Sequence, residues 1–221
     1  MNQSRGGIIL CGGRSSRMGT AKLALPFGPE LMLQRIVRLL AEVCRPIVIV
    51  AAPEQELPRL PADVLITRDR REGRGPLEGL SVGLAALPAE VVAAYATSCD
   101  VPLLVPAFVR RMFDLLGDHA AAVPASGGFQ HPLAAVYRRD VVAWVDKLLA
   151  ANSMRPAFLF DAVPTRRVEE SELVDVDPRL DTLKNLNHPS DYLVALEQAG
   201  FAAPSEIMAQ FADTAVKPAD P

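Results

Sequence analysis

The chain predicts an α/β fold: a three-layer α/β/α domain with a mainly parallel, mixed sheet. Three observations carry this. Short apolar runs rich in Val, Ile and Ala alternate with longer stretches whose apolar residues recur every three or four positions. Several of the short runs are apolar throughout, as strands covered on both faces are. Strands and helices taking turns in this way place helices on both sides of parallel strands. Two successive strand-like runs, 120–124 and 133–137, flank a Ser-Gly-Gly turn at 126–128 and add a hairpin, which makes the sheet mixed.

The elements follow in order. Gly7 to Cys11 is a buried strand. Leu31 to Val43 is a helix, because Leu33, Ile36, Val37, Leu39 and Leu40 form a stripe opposite Arg35, Arg38 and Glu42. Ile47 to Ala52 is a β-branched strand stopped by Pro53, and Val64 to Thr67 is a short one. Glu78 to Leu87 is a helix that ends before Pro88, and Val91 to Ser98 is a strand. Pro106 to Leu116 is a helix with proline at its start, where the missing amide costs little. Ala120 to Pro124 and Leu133 to Tyr137 are the hairpin strands, and Asp140 to Ala151 is a helix containing Trp144. Val163 to Val168 and Thr182 to Leu186 are late strands, and Pro189 to Ala199 is a helix. With no internal repeat and no long linker, residues 1–200 form a single domain. Residues 201–221 form a tail without clear periodicity, and the last dozen residues are expected to be mobile.

Bulk properties exclude several classes. In 221 residues the hydrophobic share is 50%, enough for a sizeable core. A net charge of −3 argues against nucleic acid as a partner. No apolar run approaches the roughly 20 residues that span a bilayer, so no membrane association is expected. Met1 to Gly7 is too short and polar for a signal peptide. The three cysteines, Cys11, Cys44 and Cys99, lack zinc-type spacing and read as reduced thiols of a cytoplasmic protein.

Chemistry concentrates where strands end. Leu10-Cys11-Gly12-Gly13-Arg14-Ser15-Ser16-Arg17-Met18-Gly19-Thr20-Ala21-Lys22 follows the first strand. Its glycines allow close backbone approach, its free amides attract anions, and Arg14, Arg17 and Lys22 add positive charge where phosphates would sit. The spacing is neither Gly-x-x-x-x-Gly-Lys-Ser/Thr nor Gly-x-Gly-x-x-Gly, so the usual ATPase and dinucleotide readings lose support. A second strand-end segment is Arg74 to Gly79. A third, Cys99-Asp100-Val101-Pro102, carries a carboxylate that either caps a turn or, beside phosphates, holds Mg²⁺, which needs only one or two carboxylates plus substrate oxygens and waters. Lys22 is either a surface lysine or a phosphate ligand on a flexible stem, and Arg17 is similarly placed. His131 is a structural histidine or a second-substrate contact. Asn185 and Asn187 flank apolar Leu186 and so share one side of a strand, as ligands or as a turn-and-cap pair. His119 and His188 read as surface or capping residues, and there is no compelling His/Asp arrangement for a general base.

The loop resembles the signature of the molybdenum cofactor nucleotidyltransferases, within the larger sugar-nucleotidyltransferase-like group of Rossmann-like, nucleotide-diphospho-sugar transferase-like folds. The resemblance runs from about residue 6 to 197 and includes Gly75-Pro76-Leu77-Glu78-Gly79, Ser98-Cys99-Asp100-Val101-Pro102, Gln130-His131-Pro132-Leu133 and Asn185-Leu186-Asn187-His188-Pro189. Order and spacing match the molybdenum cofactor guanylyltransferases best (the molybdopterin-guanine dinucleotide biosynthesis protein A family). The resemblance implies GMP transfer from GTP to molybdopterin-bound molybdenum with release of pyrophosphate. It also implies transient contacts with cofactor-delivery or acceptor proteins. Carried over by position, Leu10, Cys11, Gly12, Gly13, Lys22, Asp69, Gly75, Pro76 and Asp100 bind GTP. Lys22, Arg17 and Asp100 are catalytic, Asp100 binds Mg²⁺, and His131, Asn185 and Asn187 face the second substrate. The chain departs from the family in three places. Ala21 stands where an aspartate is common, Val50-Ala51-Ala52 lacks a common asparagine, and Asp69 lies one position off a gap-free match. A cytidylyltransferase on the same cofactor, a sugar- or polyol-phosphate nucleotidyltransferase, and a non-catalytic nucleotide-binding module are the alternatives.

Overall fold

The central strand, β1 (Ser4–Leu10), is buried from Gly6 to Leu10, so it needs cover on both faces. In the computed structural model, which describes residues 4–12, 21–70 and 73–216, that cover comes from two helical layers. The elements after β1 are a two-stranded ribbon of β2 (Pro26–Phe27) and β3 (Glu30–Leu31), then α1 (Met32–Ala41), β4 (Ile47–Ala51) and β5 (Leu65–Arg68). Next come α2 (Pro76–Ala86), β6 (Val91–Ser98), α3 (Pro106–Leu116), β7 (Ala121–Ser126), β8 (Phe129–Gln130) and β9 (Ala134–Arg138). The remainder is α4 (Val142–Ala150), α5 (Pro156–Ala162), β10 (Thr165–Glu169), α6 (Pro189–Gln198) and α7 (Ser205–Val216).

The main sheet runs β10-β7-β9-β6-β1-β4-β5, with β8 paired to β7. β9 is antiparallel to both β6 and β7, β8 is antiparallel to β7, and the other pairings are parallel. This is the mainly parallel mixed sheet the sequence predicts. The Gly127-Gly128 turn joins β7 to the short β8, and β9 follows after a further loop.

Period-two alternation decides which side chain serves which layer. Ile9, Cys11, Ile49, Tyr95 and Val136 pack with Leu33, Ile36 and Leu40 of α1 and with Phe108, Val109 and Met112 of α3. Their neighbours Ile8, Leu10, Val48, Val50, Ala94 and Ala135 pack on the other face with Leu77, Leu80 and Leu84 of α2, Val145 of α4 and Leu159 of α5. A third cluster, with Leu25, Phe27, Leu186, Tyr192 and Phe211, joins the ribbon to α6 and α7. There the Tyr192 ring meets Phe27 and Phe211 edge-on, and the Tyr192 hydroxyl donates to the Pro26 carbonyl.

Four features depart from the expectation. Thr182–Leu186 is not a strand. A 3-10 turn spans Asp181–Leu183, because the buried Asp177 carboxylate accepts the amides of Asp181 and Thr182 that a strand would need for pairing. α5 is too short, at 7 residues, to show a helical stripe. The ribbon strands have 2 residues each. α7 occupies part of the segment read as lacking periodicity; the last residues of the expected mobile tail, 217–221, lie outside the described residues.

Gly83 of α2 crosses β1 with no room for a side chain. A Cβ there would lie 2.6 Å from Ile8 Cγ2 and 3.3 Å from Val50 Cγ2. Alanine's helix propensity gains about 1 kcal/mol over glycine, but overpacking a closed core costs about 1–3 kcal/mol. The contact with Ile8 is short enough for the cost to win. Gly83→Ala should cost a net of about 1 kcal/mol of stability, read as a lower urea midpoint, and Gly83→Leu should block folding.

Candidate active site

β1, β4, β5 and β6 are parallel neighbours, so their carboxyl ends share one edge, where open α/β sheets bind ligands. The register sets Leu10 beside Ser98 on one side and Val50 on the other. Between these strand ends and the start of α2 lies a cavity of about 380 Å³, lined in part by Leu10, Gly12, Asp69, Gly75, Pro76 and Ser98. Gly12 matters for its missing side chain: a Cβ there would come within 2.8 Å of Asp69 Oδ2. The Asp69 amide donates to the Ala51 carbonyl at 2.9 Å, which brings the residue back from the edge strand toward the cavity. Arg74, which opens the second strand-end segment, also lines the cavity, and its guanidinium donates to the Leu149 carbonyl at 2.6 Å.

Asp100 follows β6 and collects polar partners from distant parts of the chain. Its Oδ2 accepts from Lys22 Nζ at 3.1 Å, and both side chains are mostly buried, 14% and 16% exposed respectively. Its Oδ1 accepts from Ser98 Oγ at 2.5 Å and from Asn185 Nδ2 at 3.2 Å. Asn187 Oδ1 accepts from Lys22 Nζ at 3.4 Å. The backbone reinforces the cluster, because the Leu186 amide donates to the Asp100 carbonyl at 2.9 Å. The segment 184–187 is irregular, yet the expected alternation survives in it. Leu186 enters the third core cluster while Asn185 and Asn187 turn to Asp100 and Lys22. The Asp191 carboxylate accepts the amides of Asn187 and His188 at 2.9 and 2.8 Å and fixes the start of α6.

Among the described residues, the other expected site residues lie outside the Asp100 hydrogen-bond cluster. The Cys11 side chain points into the α1–α3 core layer. Its amide donates to the Val50 carbonyl, and its own carbonyl accepts from Gln55 Nε2. A hydrogen bond with the neighbouring Cys99 thiol, reinforced by burial, raises the Cys11 thiol pKa well above its ordinary value. His131 lies between β8 and β9 on the same sheet edge, outside the Asp100 cluster. His119 Nδ1 is 3.1 Å from the Leu116 carbonyl, as expected of a capping residue. Gly13, Arg14 and Arg17 lie outside the described residues. Ser98, which the sequence places in the Ser98-Cys99-Asp100-Val101-Pro102 motif without a role of its own, bonds Asp100.

The donor set suits a hard cation shared with a substrate. Among the described residues no group of three or more His, Cys, Asp or Glu could enclose a metal. One carboxylate with an oxygen already directed at a positive charge fits Mg²⁺, which keeps waters and substrate oxygens in its shell. No helix of the described residues is long and apolar enough to cross a membrane.

The chain is a nucleotidyltransferase by fold and sequence. Residues 7–164 match the MobA-like NTP transferase domain, and the chain belongs to that family. A probable molybdenum cofactor guanylyltransferase of Mycobacterium avium is 37% identical over 198 residues, covering 87% of this chain and 95% of the relative. The crystal structure of molybdopterin-guanine dinucleotide biosynthesis protein A from Archaeoglobus fulgidus shares the fold with a TM-score of 0.73 at 16% identity, covering 88% of this chain and 98% of its own. A Mycobacterium tuberculosis protein solved in complex with manganese has a TM-score of 0.55 at 18% identity, covering 76% and 89%.

Burial holds the His131 imidazole below its ordinary pKa of about 6.5, against the opposing pull of a hydrogen bond with the Ser126 backbone and the charge of Glu170. The unfolded chain therefore takes up this proton at a higher pH than the folded chain. The histidine's contribution to stability is complete above the ordinary value and is lost as pH falls through the folded one. A urea series across this window should show stability falling with pH, and His131→Asn should flatten that fall. An NMR titration of His131 at or above the ordinary value would contradict it.

Proposed function

We propose that this chain transfers GMP from GTP to the terminal phosphate of molybdenum-molybdopterin, forming the molybdopterin guanine dinucleotide cofactor and releasing pyrophosphate, as a Mg²⁺-dependent cytoplasmic enzyme. The observation that carries the reading is the Lys22–Asp100 pair at the strand edge, with Ser98 bonding Asp100 and lining the adjoining cavity.

The guanosine end of GTP occupies the cavity, against Leu10, Gly12, Asp69, Gly75 and Pro76. The triphosphate lies toward Lys22 and the glycine-rich loop, where Gly13 supplies backbone and Arg17 positive charge. A phosphate oxygen of the second substrate attacks the α-phosphorus in line. The Pα–O bond to the β-phosphate breaks, and pyrophosphate leaves with the bonding electrons. The attacking phosphate is already ionised at neutral pH, so no general base is required. Catalysis then rests on positioning and charge neutralisation. Mg²⁺ held by Asp100 would polarise the α-phosphate and offset the charge that develops there. Lys22 moves its positive charge from Asp100 toward the leaving phosphates, and Asn185 and Asn187 keep that side of the cleft polar. His131, on the same edge, lies toward the second substrate.

Asp100→Asn should cut GMP transfer by at least about 100-fold, a loss of the size that removing a transition-state charge contact produces, with little change in thermal unfolding. Lys22→Ala should raise the KM for GTP by about tenfold, or about 1.4 kcal/mol. Pyrophosphate release measured for each nucleoside triphosphate with molybdopterin or sugar phosphates as acceptor tests the substrate pair. Preference for CTP, or for a sugar phosphate, would replace this reading. Nucleotide binding without pyrophosphate from any acceptor would make the chain a binding module.

A further inference from the structure

Ser98 ends β6, and its side chain does two things. It lines the nucleotide-sized cavity, and its hydroxyl donates to Asp100 Oδ1 at 2.5 Å. The residue is 8% exposed, so the contact is largely shielded from water. The terminal torsion of an aspartate is broad and intrinsically weakly fixed, so whichever groups bond its oxygens decide where they point. At Asp100 the partners divide cleanly. Neutral donors Ser98 and Asn185 share Oδ1, and the ammonium of Lys22 takes Oδ2. Asn185 bonds at 3.2 Å from an irregular segment. Ser98 sits on a strand whose register with Leu10 of β1 fixes its backbone.

We propose that Ser98 is a positioning residue for cation binding: it holds Asp100 Oδ1 so that Oδ2 is the oxygen presented to the metal. This rests on the reading of Asp100 as the metal-side carboxylate. Without the serine hydroxyl, Asn185 is the one side chain among the described residues that holds the carboxylate on that side, and a cation must order the carboxylate as it binds. Outer partners of metal ligands are worth about 10- to 100-fold in metal affinity.

The test uses the full chain with GTP and Mn²⁺ as the probe, with free Mn²⁺ followed by electron paramagnetic resonance. Ser98→Ala should weaken Mn²⁺ binding by about 10- to 100-fold. Ser98→Thr and Ser98→Val form a pair of equal shape that differs only in the hydroxyl. The threonine should bind Mn²⁺ within about threefold of the parent, and the valine should match the alanine variant. Turnover of the alanine and valine variants should recover as Mn²⁺ is raised, which a purely structural loss would not do. If Asp100→Asn loses Mn²⁺ while Ser98→Val binds it like the parent, the positioning role is overturned. If Asp100→Asn binds Mn²⁺ like the parent, the metal reading of Asp100 is the part that fails.

Discussion

A carboxylate that is mostly withdrawn from water must be surrounded by donors and balanced by a positive charge, and Asp100 imposes that requirement on the fold around it. The carboxylate's partners come from three places: the end of β6, the turn at Lys22, and Asn185 in the segment before α6, where the Leu186 amide also bonds the Asp100 backbone carbonyl. Each is tied down in turn. Asp191 secures the entry to α6 beside Asn187. Arg35 of α1 donates to the Pro102 carbonyl at 2.7 Å, with its guanidinium 4.9 Å from the centre of the Phe27 ring. The third core cluster thus serves the chemistry as much as the stability, because it fixes the ribbon after Lys22 and the residues around Leu186 against one another.

The inner part of the sheet was legible because strands such as Ile47–Ala51 are buried on both faces and therefore apolar throughout, whereas the edge strands β5 and β10 are more exposed. α1 was legible because it turns one stripe inward, and α3 because a proline opens it. α5 and the β2–β3 ribbon were not, since 7 residues and 2 residues respectively are too few to establish a period. The misread strand at 182–186 shows a different limit. The alternation of Asn185, Leu186 and Asn187 suggests a strand, but the Asp177 carboxylate takes the amides of Asp181 and Thr182, 4 and 5 residues distant, a contact that hydrophobic pattern does not register.

The site followed the same logic. Lys22, Asp100, Asn185 and Asn187 converge because strand ends and an alternating segment dictate it. Cys11 shares its parity with Ile9, and parity sends both side chains to the layer away from the cavity. Ser98 carries no signal as a residue type, since a serine at a strand end is commonplace. What distinguishes it is the identity of its acceptor, which only the folded chain reveals.

The contact between Lys22 and Asn187 spans 165 residues. A ribosome that has released the glycine-rich loop and all of the parallel strands has still not made a working centre, because both asparagines and α6 remain to be synthesised. The segment before α6 is made after the last strand, so a nascent chain can pair its strands while Asp100 still lacks partners from that segment. Chain termination between Asp100 and this segment leaves the Lys22–Asp100 pair without its asparagines, so such truncated translation products carry an incomplete centre.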